Sequence, residues 1–310
     1  MGVSWSELRR VCQTPVRDTN DVAGLLYGDH ASLPITKLMV DLRLSPDLAS
    51  IGFFVCGLTG AVLQATSGVL AAVASALLVL YYVLDCVDGE VARFQRVCDV
   101  KWGYFDFLFH MLVKPLVFCG VAVGLWRETG AAWPIFAAFA ASTATLWLKL
   151  FLETPGIVFL KEFLRRSRKA DFIAETARPM VDRAKEVELG APDHGGYEGT
   201  EDTAGTGSTG APFRLRLDRV TARALMTNFD IGLVLLLAAT LADLAVAPFD
   251  VPVLGPVGFR GAWIAYYGII LPLDFADYLR TYLLKGHFNR EVTRLLALAH
   301  HFSLDSRRER

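Results

Sequence analysis

Residues 81–115 read YYVLDCVDGEVARFQRVCDVKWGYFDFLFHMLVKP, and apolar runs lead into this stretch from both sides. Asp85, Asp88, Gly89, Arg93, Asp106 and His110 therefore sit where a membrane helix leaves the bilayer and the next one enters it. Ionisable side chains at membrane depth are costly, so they face a protein interior or an aqueous cavity. That makes the stretch a candidate active site and makes the chain a membrane protein.

Working outward, 53% of the 310 residues are hydrophobic and the mean hydropathy is +0.39, more apolar sequence than a soluble domain needs. Crossing a bilayer takes about 20 apolar residues. Stretches at 48–65, 68–90, 104–126, 131–152, 229–247 and 261–284 meet that length. The expected fold is an all-α integral membrane protein, a six-transmembrane-helix bundle preceded by an interfacial amphipathic helix. Tight turns are expected at 65–68 and 128–132.

Cytoplasmic loops carry an excess of Lys and Arg. Arg9, Arg10, Arg17, Lys37, Arg43, Arg93, Arg96, Lys101, Lys161, Arg165, Arg166, Arg168, Lys169, Lys285, Arg290 and Arg294 fall on one side of this arrangement, whereas Arg127 and Arg260 fall near span ends on the other. Both termini and the charged stretch are thus expected on the cytoplasmic side, which is the inner face of the plasma membrane in a prokaryote. The net charge of −1 offers nucleic acid no bulk attraction, so none is expected as a partner. The five cysteines form no CxxC pair and read as small packing residues.

Five segments follow. Residues 1–47 form a cytoplasmic segment with a short amphipathic helix near 5–12 and an apolar stretch, 33–44, too short to span and suited to the interface. Residues 48–152 hold the first four spans. Residues 153–228 hold a basic helix, 158–185, and a polar run, 190–210, with too little apolar content to order itself. Residues 229–284 hold two further spans, and 285–310 form a basic cytoplasmic tail.

Asp85 and Asp88 are three apart, and Asp106 and His110 are four apart, so each pair shares one face of its helix. Converging carboxylates in a water-poor site repel unless a cation joins them, and oxygen-rich ligation favours Mg²⁺ or Mn²⁺. Gly89 removes a side chain where a phosphate or base must approach. Arg93, about one turn beyond Asp88, can hold a phosphate bidentately.

In these residues the chain resembles the CDP-alcohol phosphotransferases, whose signature is D-x2-D-G-x2-A-R-x8-G-x3-D-x3-D. Asp85, Asp88, Gly89, Ala92 and Arg93 match its first half, and Asp106 matches the third aspartate. Trp102 stands at the second glycine, with Gly103 next to it, and His110 stands at the fourth aspartate. The family's Pro-Asn-x-x-Thr element is echoed by Pro46, Asp47 and Ser50. The resemblance covers about residues 35–285. It implies that an acceptor hydroxyl attacks the β-phosphorus of a CDP-alcohol and CMP leaves. Asp85, Asp88 and Asp106 would be metal ligands, and Gly89, Ala92 and Arg93 would surround the CDP moiety. The fourth aspartate of the family is the general base, a role a neutral imidazole at His110 can also fill. Membrane lipid as a partner and a homodimer are further implications. CDP-diacylglycerol and a soluble CDP-alcohol both stay open as donor. A second reading keeps CDP-lipid and metal binding without transfer.

Other polar residues carry plainer expectations. Lys114 lies on the His110 face and suits a phosphate or an acidic acceptor. Asp274, Asp277 and Arg280, at helical spacing, suit either a wall of the polar cavity or a salt-bridged patch. Asp230 reads as an acidic first turn behind Thr227 and Asn228, Asp243 as a solvated residue at the outer end of its span, and Glu90 as pointing about 100° away from the metal face.

Overall fold

A computed structural model describes residues 3–16, 22–97, 100–167, 223, 225–252 and 254–284. The chain divides into two compact units, Met1–Thr143 with Gly196–Pro272 and Ala144–Gly195 with Leu273–Arg310.

In the first unit, a short helix α1 (Trp5–Leu8) runs into a π-helical turn, Arg9–Gln13. A second π turn, Gly24–Gly28, leads into α2 (Asp29–Asp41). Two long hydrophobic helices follow, α3 (Pro46–Leu63) and α4 (Gly68–Gln95), and then α5 (Val100–Thr129). α3 starts where it does because Ser45 accepts a hydrogen bond from the Asp47 amide and Pro46 supplies a pre-set φ at the first helical position. The turn into α4 needs a left-handed residue, and Gly68 provides it at φ +61°. α6 (Trp133–Ser167) begins in this unit, and α7 (Phe229–Ala245) packs on α4. A two-stranded antiparallel hairpin, β1 (Phe249–Val251) and β2 (Gly255–Val257), then leads to α8 (Phe259–Leu279). The hairpin is a small departure from the all-α expectation.

Among the described residues, four helical stretches are long and apolar enough to cross a membrane: Pro46–Leu63, Gly68–Gln95, Tyr104–Thr129 and Trp133–Thr154. Their outward surfaces carry exposed Val55, Val62, Val69, Phe136 and Phe139, a distribution suited to lipid and costly in water. α7 has 17 residues, and α8 carries Arg260, Asp274 and Asp277, so neither reaches the same standard. The chain is thus a predominantly helical membrane protein, with four evident spans among the described residues.

α3 packs against both α4 and α5. Gly57 of α3 lets Tyr81 of α4 lie against its backbone, since a Cβ there would stand 2.6 Å from Tyr81 Cδ2. Deeper in the apolar region, Gln64, Ser75 and Thr240 form a buried polar link across α3, α4 and α7. Gln64 Nε2 donates to Ser75 Oγ at 2.7 Å, and the Ser75 and Thr240 hydroxyls are 3.0 Å apart. The helix ends remote from the candidate site are joined by Arg260, which is 2% exposed and donates to Glu128 at 3.1 Å and to the Gln64 carbonyl at 2.9 Å. Asp243 is not a merely solvated residue. Its carboxylate accepts from the amides of Phe259 and Arg260 at 2.6 and 3.0 Å and so caps α8.

The second unit holds the later turns of α6 and α8 and a π turn, Arg280–Leu284. α6 continues helical from its apolar part to Ser167, so the start of the expected basic helix is part of α6, while 168–185 lie outside the described residues. The polar run 190–210, Cys98 and the tail 285–310 also lie outside them.

Candidate active site

α4 has 28 residues, about two turns more than a bilayer requires, so its last turns project past the apolar region. Asp85, Asp88, Gly89, Ala92 and Arg93 all lie on that final part. The helix closes on Arg96 in the left-handed conformation at φ 56°, with Val97 N donating to the Ala92 carbonyl at 3.0 Å. That closure also gives basic charge to a C-terminus that favours it.

Asp85, Asp106 and His110 converge. His110 Nε2 lies 3.2 Å from Asp85 Oδ1 and 3.2 Å from Asp106 Oδ1, and one ligand atom from each residue can be chosen within 4.8 Å of the others. The Asp106–His110 contact follows directly from their i, i+4 spacing on α5. Asp85 reaches across from α4. On the far side of the imidazole, the Tyr81 hydroxyl lies 2.5 Å from Nδ1. Phe53 of α3 stacks on the His110 ring at 5.9 Å and meets Tyr81 edge-on at 5.6 Å. The ring is thus fixed in plane by a hydroxyl and in depth by an aromatic wall.

Asp88 does not join that cluster. Its Oδ2 accepts from Ser50 Oγ at 2.9 Å, a bond that holds it toward the start of α3. Ser50 belongs to the Pro46–Asp47–Ser50 element, so that element sits beside the aspartates. Gly89 lies under the guanidinium of Arg93, since a Cβ at Gly89 would stand 3.1 Å from Nη1. Arg93 Nε donates to the Cys12 carbonyl at 2.7 Å. Ala92 is a partly buried residue of the same helix. For Trp102 and Gly103, the described feature is the helical backbone of α5.

Lys114, one turn beyond His110, has its Nζ 3.7 Å from Asp230 Oδ2 and 5.3 Å over the Phe229 ring. Asp230 is therefore more than part of an acidic first turn. Asn228 caps α7 by accepting from Ile231 N at 2.8 Å, and the Asp230 carboxylate faces Lys114. Asp274 and Asp277 belong to the second unit, where Asp277 lies 3.7 Å from Arg280. That contact is the salt bridge of the expected patch; Asp274 is buried in the same unit and is not part of it.

Glu90 is where the sequence reading needs most revision. It is 1% exposed and accepts from Gln13 Nε2 at 2.7 Å, from Ser32 Oγ at 2.8 Å and from Thr36 Oγ1. Its turn away from the metal face was legible. Its partners lie 54 to 77 residues earlier in the chain, where no local spacing could reveal them.

No protein-family model matches the chain, and no curated protein matches it. The functional reading therefore rests on the residues themselves and on their geometry.

Chemically, the site holds two carboxylates around one imidazole nitrogen. One imidazole cannot neutralise both, so the cluster has residual affinity for a cation. The two carboxylates offer oxygen ligands to a divalent ion, and the imidazole between them can complete that ligation or, left unligated, act as a base. Each carboxylate also has a second oxygen, so facing His110 does not exhaust either aspartate.

Proposed function

We propose that this protein is a membrane-embedded transferase that moves a substituted phosphate from a CDP-alcohol to an acceptor hydroxyl and releases CMP, as the CDP-alcohol phosphotransferases do. The observation that carries the reading is the convergence of Asp85, Asp106 and His110 beside a helix bearing Asp88, Gly89, Ala92 and Arg93 in signature order. α7 and α8 serve as the fifth and sixth spans of the bundle. The N-terminal segment lies along the cytoplasmic interface, and both termini and the site face the cytoplasm, on the side rich in Lys and Arg.

Asp85 and Asp106, with Asp88 beside them, would hold Mg²⁺ or Mn²⁺, which when bound would supply positive charge opposite the pyrophosphate. Gly89 lets the nucleotide approach α4, and Ala92 keeps the next turn of that face small. Arg93 pairs with phosphate oxygens through the terminal nitrogens of its guanidinium. His110 is the base. With its Nδ1–H donating to the Tyr81 oxygen, the Nε2 lone pair takes the acceptor's hydroxyl proton. The acceptor oxygen forms the new bond to the β-phosphorus as the bridging P–O bond to CMP breaks. The resulting N–H is then shared between Asp85 and Asp106, whose Oδ1 atoms already flank it at 3.2 Å.

The test is product identification. Purified protein is incubated with CDP-diacylglycerol or with soluble CDP-alcohols, a pool of polyol acceptors and Mg²⁺ or Mn²⁺, and products are identified by mass. A phosphodiester product together with CMP is expected. His110→Ala should lose turnover by about a hundredfold or more, the scale of a missing general base, while His110→Asp retains part of it. Binding of CDP and metal with no CMP release from any donor would instead favour a member that binds without transfer.

A further inference from the structure

We propose that Glu90 is a positioning residue: it fastens the N-terminal segment to α4 and, through the Cys12 carbonyl, sets the Arg93 guanidinium over Gly89. Glu90 and Arg93 are three apart and share a face of α4. That face is turned to the N-terminal segment, while Asp85 is turned to α5 and Asp88 to α3.

A carboxylate removed from water is tolerated only where donors replace its hydration. Glu90 has three, all from the N-terminal segment: Gln13 in the first π turn, and Ser32 and Thr36 one turn apart on α2. Gln13 Nε2 also reaches the Asp29 carbonyl at 2.6 Å, so one amide joins both parts of the segment to α4. The π turn sets neighbouring residues to two tasks. Gln13 takes Glu90, and the carbonyl of Cys12 takes Arg93 Nε at 2.7 Å. Around these polar contacts, Leu8, Cys12, Leu33, Met39 and Val40 pack with Val87 and Val91. Gln95 closes the lower edge by donating to the Leu44 carbonyl at 2.6 Å. The segment is thereby part of the wall of the site. Loss of Glu90 leaves three donors without their acceptor and releases the carbonyl that orients Arg93.

The effect on catalysis rests on the transferase reading, whereas the fastening itself does not. Both are tested on the full chain in detergent or nanodiscs. Cys12 is a native reporter because it is fully buried beneath the fastening. Its maleimide labelling is followed at the peptide level by mass spectrometry in wild type, Glu90→Ala, Glu90→Gln and Gln13→Ala. Size-exclusion profiles and thermal unfolding verify folding.

Glu90→Ala and Gln13→Ala should each raise Cys12 labelling by about tenfold, the scale of one lost hydrogen bond to a charged group, and Glu90→Gln should stay nearer wild type. Unchanged labelling in folded Gln13→Ala and Glu90→Ala overturns the fastening. In parallel, Gln13→Ala should raise KM for the CDP donor by about tenfold with kcat within about twofold, because a misoriented Arg93 weakens donor binding while leaving His110 in place. Opened labelling with an unchanged KM overturns the positioning role. Absence of CMP release from wild type itself refutes the transferase reading, and the labelling result still decides the fastening.

Discussion

The hydroxyl of Tyr81 lies 2.5 Å from His110 Nδ1, with the His110 Nε2 turned to Asp85 and Asp106. Tyr81 is completely buried, so its hydroxyl and the imidazole nitrogen are each other's replacement for water. Tyr81→Phe keeps the ring against Phe53 and deletes the bond. Leaving a nitrogen unsatisfied costs about 1–3 kcal/mol where it is fully buried, and less at the partly buried His110. The expected outcome is a fall in kcat for CMP release of about tenfold or more, with KM for the donor within about twofold and thermal stability slightly lower. Wild-type kcat in this variant would remove Tyr81 from the mechanism.

Gly57 controls the same relationship from α3. A Cβ there would stand 2.6 Å from Tyr81 Cδ2 and 3.0 Å from Val113 Cγ1, both in packed surroundings. Gly57→Ala must therefore push Tyr81 away from α3, an overpacking cost of about 1–3 kcal/mol. Activity should fall with stability, and pairing it with Tyr81→Phe should lower kcat by less than the product of the two single effects. A fully multiplicative loss would show that Gly57 acts elsewhere.

Cys12 supplies a pH signature. Burial pushes its thiol up from the ordinary value of 9.0 to about 11; the Glu90 carboxylate adds to the rise and Arg93 opposes it. Because the folded value is the higher one, the neutral thiol's contribution to stability is complete below pH 9.0 and is lost as pH rises toward about 11. Cys12 alkylation should stay slow through neutral pH and accelerate in that window as the segment opens. Cys12→Ser, labelled at another position in the segment, should show a smaller acceleration. Rapid wild-type labelling at pH 7 would contradict the packing around Cys12.

Much of this architecture was legible because it is written in local spacing. The expected turns at 65–68 and 128–132 match the breaks between Leu63 and Gly68 and between Thr129 and Trp133, where Gly68 and Gly130 take positive φ. Asp106 and His110 meet because they are four apart on one helix. The unread features depend on distant partners. Asp88 is held by a serine 38 residues earlier, and Asp243 caps a helix that begins 16 residues later. Arg260 looked like a span-end charge and is buried against a turn 194 to 196 residues before it. That α7 and α8 fall short of the four evident spans has a local cause. α7 is short, and α8 carries charges at both ends.

The most direct measurement is CMP release by purified protein from CDP-diacylglycerol or a soluble CDP-alcohol, first in EDTA and then with Mg²⁺ or Mn²⁺ restored. Release should be absent in EDTA, return with metal, and be lost in Asp85→Asn, Asp88→Asn and Asp106→Asn. CMP release that persists in EDTA, or that survives loss of these aspartates, would contradict a metal-dependent transferase built on this cluster.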